Sequence, residues 1–188
     1  EAVSAIDEVL PLLEAEKAAL YIPARDRALA FKDLDSRPAE KTAQALAKNP
    51  ALMLDALVLI RYETSLLDWY LGEERITDER LFTRLNDEGW FGEPKPRSDS
   101  PLNRRMAALF IWQLMCRGNK EALGRYSTRW ATRTRSPLPD VPLQVFWFDA
   151  ALGTVEADII PLEEGTHFAP DKAVSGSQFW DWLRRTGN

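Results

Sequence analysis

The sequence predicts a mainly α-helical fold, in which a bundle of about six helices encloses two buried ones and is followed by a small β hairpin and a closing helix. Two long apolar stretches, within residues 49–71 and 106–116, are flanked by residues that start and stop helices. The hydrophobic content of 45% is ordinary for a globular domain with a core. We therefore predict a helical bundle over residues 1–137, with a hairpin and helix at 138–188 packed on the same domain.

The first buried helix is predicted between Pro50 and Leu71. Asn49 is a favoured N-cap, proline is tolerated at the first helical position, and Gly72 suits the left-handed residue that often ends a helix. Residues 52–60 are apolar nearly all round, which is typical of a helix enclosed by others. Because a membrane crossing needs roughly 20 apolar residues, we expect no transmembrane span.

Three shorter helices are predicted before this one, at Ala2–Tyr21, Ala24–Leu34 and Ala39–Lys48. Pro11 should interrupt the first helix, because an interior proline removes a hydrogen bond and clashes with the preceding turn. Asp35 or Ser36 can cap the third.

After Gly72, Thr77 is predicted to open a helix that runs to about Asn86 and stops at Gly89. Residues 89–101 carry glycine and proline at turn spacing, so we predict a surface loop.

The second buried helix is predicted to start with Ser100 as its cap and Pro101 at its first position. Its core, Met106–Cys116, is long and apolar enough to pass through the interior. We expect this helix to pack directly on the first.

A further helix is predicted from Lys120 to about Thr134. A spacing of three and four residues brings Leu123, Tyr126 and Trp130 to one face. The opposite face carries Arg125, Arg129 and Arg133.

The three prolines between 137 and 142 end the helical region. Residues 143–148 and 154–160 are then predicted to be two strands of a hairpin, because β-branched and aromatic residues are frequent in them. The alternative is a helix from Pro142 to Leu152 that ends at Gly153. A last helix, Gln178–Arg185, is predicted to pack on the domain through Phe179, Trp182 and Leu183.

Charge is distributed unevenly along the chain, whose net charge is −5. Residues 1–93 hold 19 acidic and 11 basic side chains, residues 94–137 hold 2 and 10, and residues 138–188 hold 8 and 3. A basic middle therefore lies between acidic ends. It either folds against those ends or forms a surface for an anionic partner.

Motifs for catalysis and cofactor binding are missing from the sequence. The single cysteine, Cys116, excludes an internal disulfide and a cysteine-based metal site. The single histidine, His167, has no G-x-S-x-G nucleophile turn to serve, and the glycines are scattered. We predict no catalytic residue, metal or cofactor, and the compartment stays open between cytoplasm and periplasm.

Carboxylates on an apolar helix are the one enzymatic hint, since ionised groups there are costly unless they are paired. They are Asp55, Glu63 and Asp68. One interpretation places Glu63 or Asp68 in the cleft of a carboxylate-dependent hydrolase. The structural interpretation makes Arg61, Ser65 and Asp68 a polar stripe that packs as an ion-pair seam against Arg104 or Arg105.

Two features indicate recognition of a partner. The first is the basic face of Arg125, Arg129 and Arg133, extended by Arg117, Lys120 and Arg135, because guanidinium groups pair well with carboxylate or phosphate. The second is the aromatic strand with Phe146, Trp147 and Phe148, whose rings would be exposed if only one side of the hairpin were covered.

These features favour a non-enzymatic protein-binding module, such as an adaptor, an inhibitor or a toxin-neutralising immunity protein. Its partner would be a protein with an acidic or apolar patch. The alternatives are the hydrolase above and a nucleic-acid-binding protein that uses the basic middle. Nucleic acid is the weaker of the two partners, because Tyr126 and Trp130 should face the core and the whole chain is acidic.

Overall fold

The computed structural model describes residues 38–186. In that part of the chain nine helices follow one another: α1 (Pro38–Ala47), α2 (Met53–Glu63), α3 (Asp68–Leu71), α4 (Asp78–Asp87), α5 (Arg104–Cys116), α6 (Lys120–Leu123), α7 (Arg125–Trp130), α8 (Phe148–Glu156) and α9 (Gly176–Thr186). The helices predicted at Ala2–Tyr21 and Ala24–Leu34 lie outside the described residues. Within residues 38–186, no helix combines the length and the apolar content needed to cross a membrane.

Helices α1, α4 and α9 confirm their predictions. The Thr77 hydroxyl accepts a hydrogen bond from the Arg80 N–H at 3.3 Å, and Gly89 has a left-handed φ of 82° just beyond the end of α4. The α9 side chains of Phe179, Trp182 and Leu183 are buried. Local capping residues and an amphipathic pattern therefore located these helices correctly.

Helix α2 starts three residues later than predicted, at Met53 instead of Pro50. The Asp55 carboxylate caps it by accepting the Leu52 N–H at 2.8 Å, and the Met53 N–H donates to the Ser100 carbonyl at 3.0 Å. These partners satisfy the first N–H groups of the helix, so Pro50 lies outside it.

Helix α2 also ends earlier than predicted, at Glu63 instead of Leu71. The Thr64 hydroxyl donates to the Ile60 carbonyl at 2.5 Å and accepts the Leu66 N–H at 3.2 Å. Threonine thereby competes with the helical backbone bonds and takes an extended conformation. One further turn, α3, follows as a separate element.

Helix α5 contains the predicted core, Met106–Cys116, but its start was predicted wrongly. Asn103 is the N-cap, and its side-chain oxygen accepts the Met106 N–H at 2.9 Å. Pro101 lies upstream in an antiparallel bridge with Leu52. The segment around Pro101 is therefore paired with the start of α2 and is not the first turn of α5.

We had expected the two buried helices, α2 and α5, to pack directly on each other. They are not each other's main partners. Helix α2 packs mostly on α1, α5 packs mostly on α8, and α9 contacts both. A chain of phenylalanine rings from α4, the loop after it, α5 and α9 crosses the core, with centroids 4.5–6.4 Å apart. Its members are Phe82, Phe91, Phe110 and Phe179. One shared core thus joins the two helices through third elements.

The predicted β hairpin is wrong, because residues 38–186 contain no strand. Residues 143–147 form turns, and α8 occupies the middle half of the region assigned to the hairpin. Every residue from Phe148 to Thr154 is buried, so the segment shows no amphipathic period that would identify a helix. The alternative helix had the wrong limits, since Gly153 lies inside α8 and faces the Trp112 ring.

The helix predicted from Lys120 to Thr134 is divided into α6 and α7 at Gly124. Buried Asp149, on α8, accepts the N–H groups of Tyr126 at 2.6 Å and Ser127 at 3.0 Å, which lie in the first turn of α7. This carboxylate fixes α7 on the core, and α7 ends at Trp130.

Candidate functional site

The ten basic residues between positions 94 and 137 fall into two groups in the structure. Four of them form ion pairs, namely Lys95 with Asp87 at 2.8 Å, Arg97 with Asp99 at 2.8 Å, Arg104 with Glu163 at 3.2 Å and Arg105 with Asp171 at 3.5 Å. This group accounts for residues 95–105 and belongs to the internal packing and loop structure of the domain.

The other six basic residues are exposed and pair with no carboxylate among the described residues. They are Arg117, Lys120, Arg125, Arg129, Arg133 and Arg135. We refer to them as the basic surface. Arg129 lies on α7, whereas Arg133 lies beyond its end, so the predicted single helical stripe of arginines is interrupted.

Arg125 holds a fixed position on this surface. Its guanidinium carbon lies 4.7 Å from the ring centroids of both Trp112 and Tyr126, and its Nη2 donates to the Tyr126 hydroxyl at 3.0 Å. A guanidinium held against aromatic rings gains cation–π attraction and loses less side-chain freedom when it binds. The Arg125 guanidinium is therefore preorganised for an anion.

A groove runs beside α7. Its first cavity, about 120 Å³ in volume, is lined on one side by α7 residues with Arg133 and on the other side by Leu143 and Gln144. A second cavity of about 330 Å³ shares Leu143 and Gln144 and continues along residues 134–142. We refer to the two cavities together as the arginine groove.

The Trp130 ring lines the first cavity, and its indole N–H is buried without a hydrogen-bond acceptor. The far wall of the groove is held in place from behind. The Asp140 carboxylate accepts the N–H groups of Phe168 at 2.9 Å and Ala169 at 2.6 Å, and Val141 is fully buried. The groove is thus a formed feature of the fold, and one of its lining residues, Trp130, carries a buried N–H without an acceptor among the described residues.

The predicted aromatic surface is only partly present. Trp147 and Phe148 are core residues, with 7% and 0% of their surface exposed, whereas Phe146 is 53% exposed. The Phe146 ring lies over Gly92, where no side chain intervenes. Because the hairpin does not form, Trp147 and Phe148 are wrong as partner-binding residues, and Phe146 is the one of the three that a partner could reach.

The sequence-based interpretation missed an exposed tryptophan. Trp69, at 40% exposure, stacks on Trp90 with centroids 6.5 Å apart, and lies beside Gly118. We had assigned Trp69 to the interior of one long helix. The signal that could have located it is the Thr64-Ser65 pair, since these residues favour helix ends over helix interiors.

The carboxylates considered for catalysis do not form a site. Glu63 and Asp68 are both exposed. The predicted stripe with Arg104 or Arg105 is also wrong, because Arg61 pairs with buried Asp78 at 2.6 Å. Asp78 in addition accepts from Lys41 at 2.9 Å and from the Tyr62 hydroxyl at 3.1 Å, which makes this cluster a satisfied structural network.

The described part of the chain contains no set of side chains arranged for nucleophilic catalysis or for metal binding. Burial raises the pKa of the Cys116 thiol to about 11, so it stays protonated and unreactive near neutrality. His167 is exposed, and its ring bonds only the neighbouring Thr166 hydroxyl at 2.8 Å. Residues 38–186 contain no group of three histidine, cysteine or acidic side chains placed to hold a metal ion.

Comparison with protein-family models, curated proteins and solved structures yields no match to this chain, so its function has to be argued from the surface just described.

Proposed function

We propose that this chain is a non-enzymatic protein-binding module, of the adaptor, inhibitor or toxin-neutralising immunity type, whose basic surface receives an acidic partner protein. The observation that carries the proposal is the set of six exposed basic side chains between 117 and 135 without a carboxylate partner among the described residues. Elsewhere in residues 94–137 each basic side chain pairs with an acidic one, whereas these six take part in no ion pair among the described residues.

The composition of the basic surface suits a protein partner. Five of its six members are arginines, which pair with carboxylates in a bidentate manner and tolerate partial burial better than lysine. Charge of one sign on one surface also speeds the encounter with an oppositely charged protein and orients it. Arg125 is already fixed on Trp112 and Tyr126, which reduces the entropy lost on binding.

Nucleic acid is a poorer fit to the same surface. Single-stranded nucleic acids are bound by exposed aromatic rings that stack on bases between the cationic groups. Here Tyr126 is 5% exposed and Trp130 is mostly covered, so neither offers a free ring face among the arginines. The chain as a whole carries a net charge of −5, which repels an extended polyanion.

The proposal is tested by the double variant Arg129→Glu/Arg133→Glu, with Arg80→Glu/Arg184→Glu as the matched control. All four residues are exposed arginines without a carboxylate partner among the described residues, but Arg80 and Arg184 lie on α4 and α9. Tagged proteins are used to capture partners from cells of the source organism. The wild type and the control should retain the same partner protein. The surface variant should retain at least tenfold less of it than the wild type does.

If all three forms retain the same partner protein equally, the proposal that the basic surface binds this partner is contradicted. The same samples are tested for binding to a labelled single-stranded DNA at low and at high salt. Retention of DNA by the wild type, with a steep loss on adding salt, would replace the protein partner by nucleic acid.

A further inference from the structure

We infer that the arginine groove binds a carboxylate side chain from an extended acidic segment of the partner, with the Trp130 indole N–H and the Arg133 guanidinium as its donors. This inference rests on the proposed function and goes further by naming the group that is recognised. It starts from the buried Trp130 N–H, which has no acceptor in the described structure. A buried donor without a partner is costly, so such groups usually serve a purpose.

Three polar groups that line the groove have donors without a partner among the described residues, namely the Trp130 N–H, the Arg133 guanidinium and the Gln144 amide. Arg133 forms no ion pair, and the exposed Gln144 amide on the opposite wall has no hydrogen-bond partner among the described residues. The one carboxylate of the groove, Asp140, already accepts two backbone N–H groups through its two oxygens. A ligand that brings only acceptor oxygens, such as a carboxylate, matches this arrangement.

The shape of the groove indicates a side chain that continues into an extended backbone. The cavity of about 120 Å³ at Trp130 and Arg133 has room for one acidic side chain. The adjoining cavity of about 330 Å³ gives the segment that carries it a path along residues 134–142. Pro139 and Pro142 in that wall have no N–H groups, so they leave the backbone donors of a bound peptide without competition from their own.

Access to the Trp130 N–H requires a small movement, because that atom is covered in the free protein. Leu143 and Gln144 line the first cavity together with Trp130, and Gln144 is exposed. Rotation of exposed side chains is the commonest adjustment on binding. The backbone of the wall can stay in place, since Asp140 and Val141 anchor it.

The experiment measures binding of a fluorescein-labelled peptide of alternating glutamate and glycine, by fluorescence anisotropy, to the wild type and four variants. Trp130→Phe keeps a ring but removes the N–H, and Trp69→Phe is its control outside the groove. Arg133→Gln removes a charge in the groove, and Arg129→Gln removes an equal charge from α7.

We expect Arg133→Gln to weaken binding about tenfold and Trp130→Phe about threefold to tenfold, because each removes a hydrogen bond to a charged group. Arg129→Gln should weaken it only about twofold, as expected for a screened surface charge. Trp69→Phe should leave it unchanged. A counterpart peptide with glutamine in place of glutamate should bind the wild type at least tenfold more weakly.

Equal losses in Arg133→Gln and Arg129→Gln, with Trp130→Phe unchanged, would overturn the groove and leave the proposed function standing. If no arginine variant weakens binding, or if the wild type fails to bind the peptide, the groove is overturned, and partner capture with the glutamate variants decides the proposed function separately. Tighter binding of a single-stranded DNA than of the peptide would overturn both. Because Arg133 is exposed, its variant tests the inference even if Trp130→Phe does not fold.

Discussion

Two halves of one basic segment, residues 95–105 and residues 117–135, have the same kind of composition and opposite environments. In the first half every basic side chain has a carboxylate partner, and three of the four partners, Asp87, Glu163 and Asp171, come from the acidic parts of the chain. In the second half no such pair exists among the described residues. Charge zoning in a sequence therefore covers two different situations, and only the fold separates basic side chains in intramolecular ion pairs from exposed ones without such a pair.

Two arginines illustrate the difference at the level of single side chains. Arg104 is 1% exposed, its Nε and Nη2 groups donate to the carbonyls of Phe168 and Pro161, and its guanidinium lies between the rings of Phe168 and Trp182. Arg125 also contacts two rings, but it is exposed and has no anion. All three guanidinium nitrogens of Arg104 donate a hydrogen bond inside the molecule, whereas among the described residues Arg125 donates only from Nη2, to the Tyr126 hydroxyl.

The largest effect is expected for Arg104→Met. The substitution leaves the buried Phe168 carbonyl and the part-buried Pro161 carbonyl without donors and removes the Arg104–Glu163 pair, so we expect a loss of about 3–5 kcal/mol in the free energy of unfolding. Chemical denaturation followed by far-ultraviolet circular dichroism measures this loss.

Arg105→Met is the matched control, since its partner Asp171 is largely exposed and 3.5 Å away. It should lose less than about 1 kcal/mol. Similar small losses in both variants would contradict the view that Arg104 stabilises the interior.

A smaller loss of folding stability is expected when the pH is lowered. A hydrogen bond from Lys172 at 2.7 Å, together with the charge of Arg104, holds the pKa of Glu163 below its usual 4.5. Because the folded pKa is lower than the unfolded one, this pair stabilises the fold above about pH 4.5, and the contribution is lost as the pH falls through the folded pKa.

Glu163→Gln should therefore cost about 1 kcal/mol or less at neutral pH, and the difference from the wild type should disappear in acid. Unfolding free energies measured from neutral pH down to pH 3 test this behaviour. If the difference in unfolding free energy between Glu163→Gln and the wild type is the same at all pH values, the charge of Glu163 does not stabilise the fold.

How much of the fold could be predicted from the sequence depended on whether the interactions that fix the ends of each helix are local. Thr77 and Gly89 bound α4 through contacts within a few residues, and the sequence located both. The start of α2 depends on the Ser100 carbonyl, far along the chain, and was misplaced. Helix α8 was predicted only as the alternative to a hairpin, and with the wrong limits, because burial on all sides removes the period by which a helix is identified.

The candidate site follows the same rule. Composition placed Arg129 and Arg133 on a basic surface, and both are exposed there. Composition could not show that Arg104 and Arg105 would be paired, since their partners lie about sixty residues away in sequence. It also could not show the arginine groove, because its two walls meet only after residues 137–142 turn back beside α7.

The smallest change in the free energy of unfolding is expected for variants in the second half of the basic segment, residues 117–135. Arg129→Gln/Arg133→Gln removes two exposed charges that have no partner among the described residues and several like-charged neighbours. Its free energy of unfolding should stay within about 0.5 kcal/mol of the wild type, and should exceed it slightly at low salt, where like charges repel most. A loss near that of Arg104→Met would mean that these arginines serve the fold after all, and the basic surface would then have no claim to a partner.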